Sequence, residues 1–192
     1  MEKMIIRGDK VTLSWVEEKD YETIYHLRYG EKNPEWKKWD APYYPLENKT
    51  FTQYTHEMRG KPSGMEAKIT VGQEIIGTVI YYWEHQPSNW LEAGIVVYKP
   101  GYWGGGYGSE ALSLWISHLF SGMDIPRVGI TTWSGNERMM KSAAKQGMKL
   151  EGRLRKCRLY NGTYYDSIRM GILREEWEAL KGKNEQSRIS IH

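Results

Sequence analysis

A glycine-rich stretch in the middle of the chain limits what the sequence can fold into. Four of the six residues from Trp103 to Gly108 are glycine. Glycine adopts positive φ angles without steric cost and lets a ligand approach the backbone closely. A β-branched run at 95–97 precedes the stretch, and the apolar residues after Ser109 follow helical spacing. Such a turn from strand to helix directs free N–H groups and the positive helix end at one place, which predicts an anion site.

Two common phosphate-binding motifs do not fit this stretch. A Walker loop ends in Gly-Lys-Ser/Thr, whereas Tyr107, Gly108 and Ser109 follow the first glycines here without a lysine. A dinucleotide fingerprint beginning at Gly104 and Gly106 needs its third glycine at position 109, which is serine. The stretch therefore predicts a pyrophosphate-binding turn of another kind, and the alternative is a tight turn that binds no ligand.

Residues 102–111, Tyr-Trp-Gly-Gly-Gly-Tyr-Gly-Ser-Glu-Ala, resemble the acetyl-CoA loop of the GNAT N-acetyltransferases. The closest likeness is to the branch with the ribosomal-protein N-terminal and spermidine acetyltransferases. The family signature Gln/Arg-x-x-Gly-x-Gly/Ala falls on residues 103–108, with tryptophan in its first place. A second segment, 136–155, resembles the family pattern Asn-x-x-Ser … Lys-x-Gly-Phe … Glu-Gly-x-x-Arg. The likeness spans about Met4 to Glu175, nearly the whole chain.

The resemblance implies an acetyl-CoA-dependent N-acetyltransferase that uses no metal. Acetyl-CoA would be the co-substrate, and a primary amine would attack it directly in a ternary complex. Protein N-termini, polyamines and small-molecule amines are all acceptors in this branch, and the sequence does not select among them. The alternative is a GNAT-like module that binds acyl-CoA without turning it over.

The succession of elements in the chain matches that family. Apolar periodicities and turn residues predict the order β–α–α–βββ–α–β–α–ββ. The first strand is predicted over residues 4–15 with a turn at Gly8-Asp9, the first helix stops at Gly30, and the second helix covers residues 47–58. The last two strands are predicted over residues 154–160 and 163–173 with the Asn161-Gly162 turn between them, and a short helix is expected over 175–181. In GNAT proteins this order forms an α/β (α+β) fold with a mixed, mostly antiparallel seven-stranded sheet. Its two central parallel strands splay apart, and helices cover both faces. We expect one domain over residues 1–180 and a flexible tail over 181–192.

Composition excludes several other classes of protein. The chain has 192 residues, and its formal net charge of +3 is too small to favour a nucleic-acid partner. No apolar run approaches the ~20 residues of a membrane span, and we expect no membrane partner. The single cysteine, Cys157, excludes an internal disulfide framework. We therefore expect a cytoplasmic protein, and the family suggests a homodimer.

The resemblance also assigns the cofactor contacts. They fall on the strand before the glycine turn, on the turn itself and on the start of a later helix: Val96, Tyr98, Trp103, Gly104, Gly105, Gly106, Tyr107, Gly108, Ser109 and Asn136. Val96 and Tyr98 would pair with the pantetheine arm as a neighbouring strand would. For Asn136 the alternative is an ordinary helix N-cap, and one side chain can serve both purposes.

Two residues are expected to act in catalysis. The resemblance points to the Val96 amide as the donor to the developing oxyanion. Glu92 lies fourteen residues before Gly106, where histone-acetylating members of the family carry a general-base glutamate. The alternatives for Glu92 are a solvated strand carboxylate and one that only orients the acceptor amine.

The acceptor side of the cleft is expected in a loop rich in proline and aromatic residues, 31–45. Trp36, Trp39 and Tyr43 could form a wall on which an ammonium group rests, or they could pack the loop onto the body of the protein. Two positions depart from the family. Ala143 stands where many members carry the tyrosine that protonates the leaving thiolate, and Met139 replaces a serine. The group that protonates the thiolate is therefore unassigned.

Overall fold

A single open sheet organises the chain. The computed structural model describes residues 4–189, and the side chains of residues 4–182. Its strands are β1 Ile5–Arg7, β2 Thr12–Trp15, β3 Glu66–Val71, β4 Glu74–His85, β5 Trp90–Val97, β6 Arg127–Trp133, β7 Lys149–Tyr160 and β8 Thr163–Leu173. They lie in the spatial order β1-β2-β3-β4-β5-β6-β8-β7.

The sheet has eight strands, so the expected seven is wrong by one. Residues 4–15 do not form one strand, because the turn at Gly8 and Asp9 folds β2 back on β1 in antiparallel register, with Ile6 opposite Leu13. Strands β3 to β6 and β8 agree with the sequence prediction to within a residue or so, whereas β7 begins at Lys149 and not at the predicted Leu154. The Asn161-Gly162 turn joins β7 to β8, and both residues have the positive φ angles, 48° and 75°, that this dipeptide favours in hairpins.

The two parallel strands in the middle of the sheet separate, as the family resemblance predicted. β5 and β6 pair only at Leu91 with Val128 and at Glu92 with Gly129. After Glu92, β5 continues to Val97 in antiparallel register with β4, while β6 stays paired with β8 to its end. A V-shaped opening therefore lies between the second half of β5 and the second half of β6.

Five α-helices accompany the sheet: α1 Tyr21–Tyr29, α2 Phe51–Gly60, α3 Tyr107–Gly122, α4 Glu137–Lys145 and α5 Arg174–Ile189. α1 ends at Gly30, as predicted. α2 begins later than the predicted Glu47 because Thr50 and Gln53 form a capping box there. α5 is longer than the expected helix over 175–181, and residues 190–192 of the predicted tail lie outside the described part of the chain.

The helices bury apolar side chains on both faces of the sheet. On one face α3 contributes Trp115, which is 0% exposed and whose indole N–H donates to the carbonyl of Ile80 at 2.9 Å. On the other face α1 and α2 form a smaller cluster that includes Ile24 and Tyr54. Burying a large apolar side chain contributes roughly 1.5–3 kcal/mol. Helices packed on both faces hold the two sides of the opening at a fixed separation.

Candidate active site

A cleft of about 910 Å³ occupies the opening between β5 and β6. Its floor is the sheet, one end is the glycine turn with the first residues of α3 and α4, and residues 36–47 form its roof. This volume lies within the range of small-molecule and cofactor sites. The glycine turn and the aromatic loop, which are far apart in sequence, therefore open into one space.

The glycine turn has the backbone that an anion site needs. Gly104 and Gly106 have φ angles of 79° and 85°, in the left-handed region that other residues adopt only with strain. Gly106 is the N-cap residue of the 16-residue helix α3, and no side chain caps the first N–H groups of that helix. Those N–H groups and the positive end of the helix are thus free to bind an anion.

Eight of the ten predicted cofactor residues line the cleft: Val96, Tyr98, Trp103, Gly104, Gly106, Gly108, Ser109 and Asn136. The other two, Gly105 and Tyr107, do not. The carbonyl of Gly105 accepts a hydrogen bond from the Lys10 ammonium at 2.7 Å. The ring of Tyr107 packs edge-on against Tyr102, with Lys10 near its face. Gly105 and Tyr107 thus form the outer side of the turn.

Glu110, in the first turn of α3, fixes this turn to the edge of the sheet. One of its carboxylate oxygens accepts the N–H of Asp9 at 2.8 Å, and the other accepts those of Lys10 and Val11 at 2.8 and 2.9 Å. A Cβ at Gly8 would approach the same carboxylate to within 2.8 Å, so a larger residue there would push the carboxylate away from these amides. The start of α3 and this turn therefore hold each other in place.

Trp103 takes the place of Gln or Arg in the family signature, and its indole binds the chain itself. The indole N–H donates to the carbonyl of Val97 at 2.9 Å. Its ring stands edge-on to Trp39, and the Arg138 guanidinium lies 4.4 Å from the centre of the Trp39 ring and 5.3 Å from that of Trp103. A cation between two indoles joins the glycine turn, α4 and the aromatic loop.

The strand register contradicts the predicted roles of the Val96 and Tyr98 amides. The Tyr98 N–H donates to the carbonyl of Ile76 in β4 at 2.8 Å. N–H groups two residues apart on a strand point the same way, so the Val96 N–H also points at β4, where Val96 lies opposite Thr78. The amides that face the opening belong to Ile95 and Val97. The position of a residue in the strand before the glycine turn does not reveal which side of the strand its amide faces, because that depends on the pairing with β4.

Glu92 is buried at the point where β5 and β6 part. It is 1% exposed and does not line the cleft. Its carboxylate accepts hydrogen bonds from Thr131 at 2.6 Å, from Tyr82 at 3.0 Å and from the Arg169 guanidinium at 2.9 Å. Burial raises the pKa of Tyr82, and the negative charge of Glu92 raises it further. The Tyr82 hydroxyl therefore keeps its proton and donates a hydrogen bond to the Glu92 carboxylate. Glu92 is therefore not a solvated strand carboxylate.

Asn136 connects the two halves of the cleft. Its carbonyl oxygen accepts the Met139 N–H at 3.1 Å and so caps α4, as the alternative interpretation had it. Its amide nitrogen donates to the carbonyl of Trp39 at 3.0 Å, and the Trp133 indole donates to the same carbonyl at 2.8 Å. The start of α4 and the end of β6 thus hold the aromatic loop over the opening.

All three predicted substrate-binding residues line the cleft, but they differ in exposure. Trp36 is 7% exposed, its ring meets Tyr98 edge-on, and its indole N–H donates to the carbonyl of Leu27. Trp39 and Tyr43 are partly exposed to the cleft, and the Arg158 guanidinium lies 4.9 Å from the centre of the Tyr43 ring. Within this one loop, Trp36 therefore packs against the body of the protein, while Trp39 and Tyr43 form part of the cleft wall.

A buried charged network lies under the acceptor end of the cleft, and the sequence analysis did not anticipate it. Arg28 donates to the Tyr98 hydroxyl at 2.6 Å, to Thr78 at 3.0 Å and to the Glu66 carboxylate. Burial alone would raise the pKa of Glu66, but Arg28 and Lys61 outweigh it and hold that pKa below its usual value. Glu66 is therefore ionised and makes the floor of the cleft rigid.

Other departures from the family pattern are visible in the same region. Ala143 is 0% exposed within the core, so it brings no hydroxyl to the cleft. Arg138 was missed, although it stands two residues after Asn136 in the quoted motif. In the described residues, no group of three or more His, Cys, Asp or Glu is placed to hold a metal ion, and no helix is long and apolar enough to cross a membrane.

Comparison with known proteins agrees with this architecture. The family model described as acetyltransferase (GNAT) domain matches residues 10–149. The chain is 30% identical over 174 residues to the uncharacterized N-acetyltransferase YoaA of Bacillus subtilis (strain 168), which covers 85% of this chain and 93% of that protein.

Solved structures share the fold. The spermidine N-acetyltransferase from Vibrio cholerae, in complex with CoA and spermine, matches 88% of this chain and 99% of its own, with a TM-score of 0.72 and 19% identity. A GNAT-family acetyltransferase from Bacillus anthracis matches 90% of this chain and 100% of its own, with a TM-score of 0.71 and 21% identity. Because the family model and the relative both cover most of the sequence, the chain belongs to the GNAT family and is an N-acetyltransferase.

Proposed function

We propose that the protein transfers the acetyl group of acetyl-CoA to a primary amine by direct attack within a ternary complex. The observation that carries this proposal is the meeting of three features in one cleft. They are the uncapped start of α3 at the glycine turn, the opening between β5 and β6, and the aromatic loop above it. Each matches one requirement of the reaction: an anion site, a strand edge and an acceptor pocket.

The residues of the cleft fit coenzyme A. The amides from Gly104 to Ser109 would hold its pyrophosphate, because no side chain caps them and a side chain at Gly104 or Gly106 would be strained. The pantetheine arm would lie along the edge of β5 that faces the opening, where the amides of Ile95 and Val97 replace those first assigned to Val96 and Tyr98. One of these two amides would donate to the oxyanion.

Glu92 enters the proposal as a positioning residue. Three donors already hold its carboxylate, and its side chain does not reach the cleft. Tyr82 and Thr131, which it holds, do line the cleft and can contact the acceptor or an ordered water. We therefore expect Glu92→Gln to reduce turnover through misplacement of these hydroxyls. Direct removal of the amine proton requires another group.

The test is release of free thiol from acetyl-CoA in the presence of separate primary amines: a peptide with a free N-terminus, spermidine, and small-molecule alkyl amines. Thiol release that depends on one amine, with mass spectrometry of the acetylated product, supports the enzyme. The alternative is the non-catalytic acyl-CoA-binding module, for which the buried Ala143 is the observation in favour. Acetyl-CoA binding by calorimetry without thiol release from any amine would establish that alternative.

A further inference from the structure

The aromatic loop brings a carboxylate into the cleft that the family pattern does not assign. Asp40 lines the cleft and is exposed within it. Glu47 is the other carboxylate lining the cleft among the described residues, and it is ion-paired with Lys49 at 2.6 Å. Across the same residues, no hydrogen bond or ion pair reaches the Asp40 carboxylate. Asp40 is thus the carboxylate available to a ligand.

The backbone holds Asp40 in place over the opening. The carbonyl of the preceding residue, Trp39, accepts hydrogen bonds from Asn136 and Trp133. The Lys37 ammonium donates to the carbonyl of Asp40 at 2.7 Å and to that of Ala41 at 3.1 Å. Ala41 has a φ angle of 43°, an uncommon left-handed conformation for a residue with a Cβ. Such strain is maintained only where surrounding contacts over-determine the backbone, as they do here.

Several charged and polar groups face Asp40. Lys37 on its own loop and Arg28 on α1 both attract the carboxylate, and the hydroxyl of Tyr43 lies within the electrostatic reach of Asp40 and of Arg158 on β7. Although the residue is exposed to the cleft, the surrounding walls partly desolvate it, and this burial raises its pKa above the ordinary value despite the two cations. A carboxylate so placed, with a raised pKa, is suited to accept a proton.

We propose that Asp40 binds the ammonium form of the acceptor and takes the proton that frees its nitrogen for attack. This inference rests on the proposed function and names the proton acceptor for it. The acceptor ammonium carries three N–H protons and the amide product keeps one. Asp40 receives the first, the nitrogen attacks the thioester carbonyl to form the C–N bond and the oxyanion, and collapse of the oxyanion breaks the C–S bond. Of the two protons released, one converts the thiolate to free CoA and the other passes to solvent.

The inference also defines the class of acceptor. The Asp40 carboxylate selects a cation. The rings of Trp39 and Tyr43, which already hold the guanidinium groups of Arg138 and Arg158, line the cleft around the apolar body of the acceptor. The aromatic walls and the carboxylate together favour an unhindered primary ammonium over a neutral nucleophile such as an alcohol.

The test compares Asp40→Asn with Glu47→Gln, which removes a charge from the same cleft without removing the free carboxylate. With the amine that the wild type acetylates best, Asp40→Asn should lower kcat/KM at pH 7 by on the order of 10²–10³-fold, while Glu47→Gln changes it less than about threefold. The deficit should shrink towards pH 10, because the amine then loses its proton unaided. Acetyl-CoA affinity, measured by calorimetry, should be the same in all three proteins.

The outcomes separate the inference from the proposed function. If the wild type acetylates no amine, the proposed function fails and the inference fails with it. If the wild type is active and Asp40→Asn retains more than a tenth of its kcat/KM at pH 7, only the inference fails. A pH-independent loss equally excludes proton transfer to Asp40. Asp40→Ser provides a second variant, and circular dichroism together with unchanged acetyl-CoA binding verifies that each variant is folded.

Discussion

Replacing Glu110 with alanine should destabilise the protein far more than an ordinary surface substitution. The Glu110 carboxylate holds three consecutive amides of the turn between β1 and β2, at 2.8, 2.8 and 2.9 Å. Among the described residues, no other side chain accepts a hydrogen bond from these three amides. Alanine removes all three bonds and leaves the turn held by the short β1 and β2 strands and by the exposed bond from the Lys10 ammonium to the Gly105 carbonyl.

The magnitude follows from the number of bonds and their exposure. A hydrogen bond to a charged group contributes about 1.5–3 kcal/mol where it is shielded from water. Two of these three bonds are exposed, so water replaces part of what is lost and about 1 kcal/mol per bond is reasonable. Loss of the favourable charge at the start of α3 adds about 0.3–1 kcal/mol. The total is about 3–4 kcal/mol, or roughly a 6–16 °C decrease in Tm for a domain of this size.

The assay is urea denaturation followed by tryptophan fluorescence, with Glu137→Ala as the matched control. Glu137 also lies in the first turn of a helix, but its side chain is 70% exposed and pairs only with Lys141 one turn later. The control loses the same helix-end charge and a weak surface pair, about 1 kcal/mol in all. The reasoning is refuted if the free energies of unfolding of the two variants differ by less than about 1 kcal/mol.

Three further predictions concern the backbone, the floor and the roof of the cleft. Gly106→Ala and Gly162→Ala each force a Cβ into the left-handed region and should cost about 1–2 kcal/mol of stability, but calorimetry should find weaker acetyl-CoA binding only for Gly106→Ala. The pKa of Glu66 is lower in the folded than in the unfolded protein. The ionised carboxylate therefore stabilises the fold at pH values above its unfolded-state pKa, and this stabilisation is lost as the pH falls through its folded-state pKa. Thermal melts of Glu66→Gln should therefore approach those of the wild type as the pH is lowered below about 4, and an unchanged gap would contradict this. Because the pKa of Asp40 is higher in the folded than in the unfolded protein, the wild type loses stability as the pH rises from the unfolded-state pKa to the folded-state pKa. Ligand-free Asp40→Asn should therefore melt at a higher temperature than the wild type at pH 7 but not at pH 3. Equal melting temperatures at pH 7 would count against this reasoning.

The sequence predicted the architecture well, for local physical reasons. The glycine turn and the Asn161-Gly162 hairpin each depend on backbone angles that few residues adopt, so they leave a readable signal. The number of strands is wrong because the β pattern over residues 4–15, with its turn at Gly8-Asp9, is predicted as one strand and not as two. A two-residue turn inside that pattern carries little information about whether the chain reverses.

The details of the site were harder to predict because they depend on tertiary placement. The resemblance assigns Val96 and Tyr98 as residues of the strand before the glycine turn, but the side of the strand that their amides face depends on the register with β4. Glu92 is assigned by its distance from Gly106, and its partners Thr131 and Arg169 come from other strands. The binding role of the glycine turn, the role of Glu92, the cytoplasmic location, the homodimer and the flexible tail stay predictions.

Asn136 has a consequence for the order in which ligands bind. Its amide nitrogen is bonded to the Trp39 carbonyl, while the rest of the side chain caps α4 beside the glycine turn. If the bound thioester arm accepts the second N–H of that nitrogen, it shares one amide group with the roof of the acceptor pocket. An acceptor analogue that stiffens the roof would then change the affinity for the cofactor. Thermodynamic reciprocity requires that the cofactor change the affinity for the analogue by the same factor. A single amide group would thus make the two half-sites cooperative without any movement of the sheet.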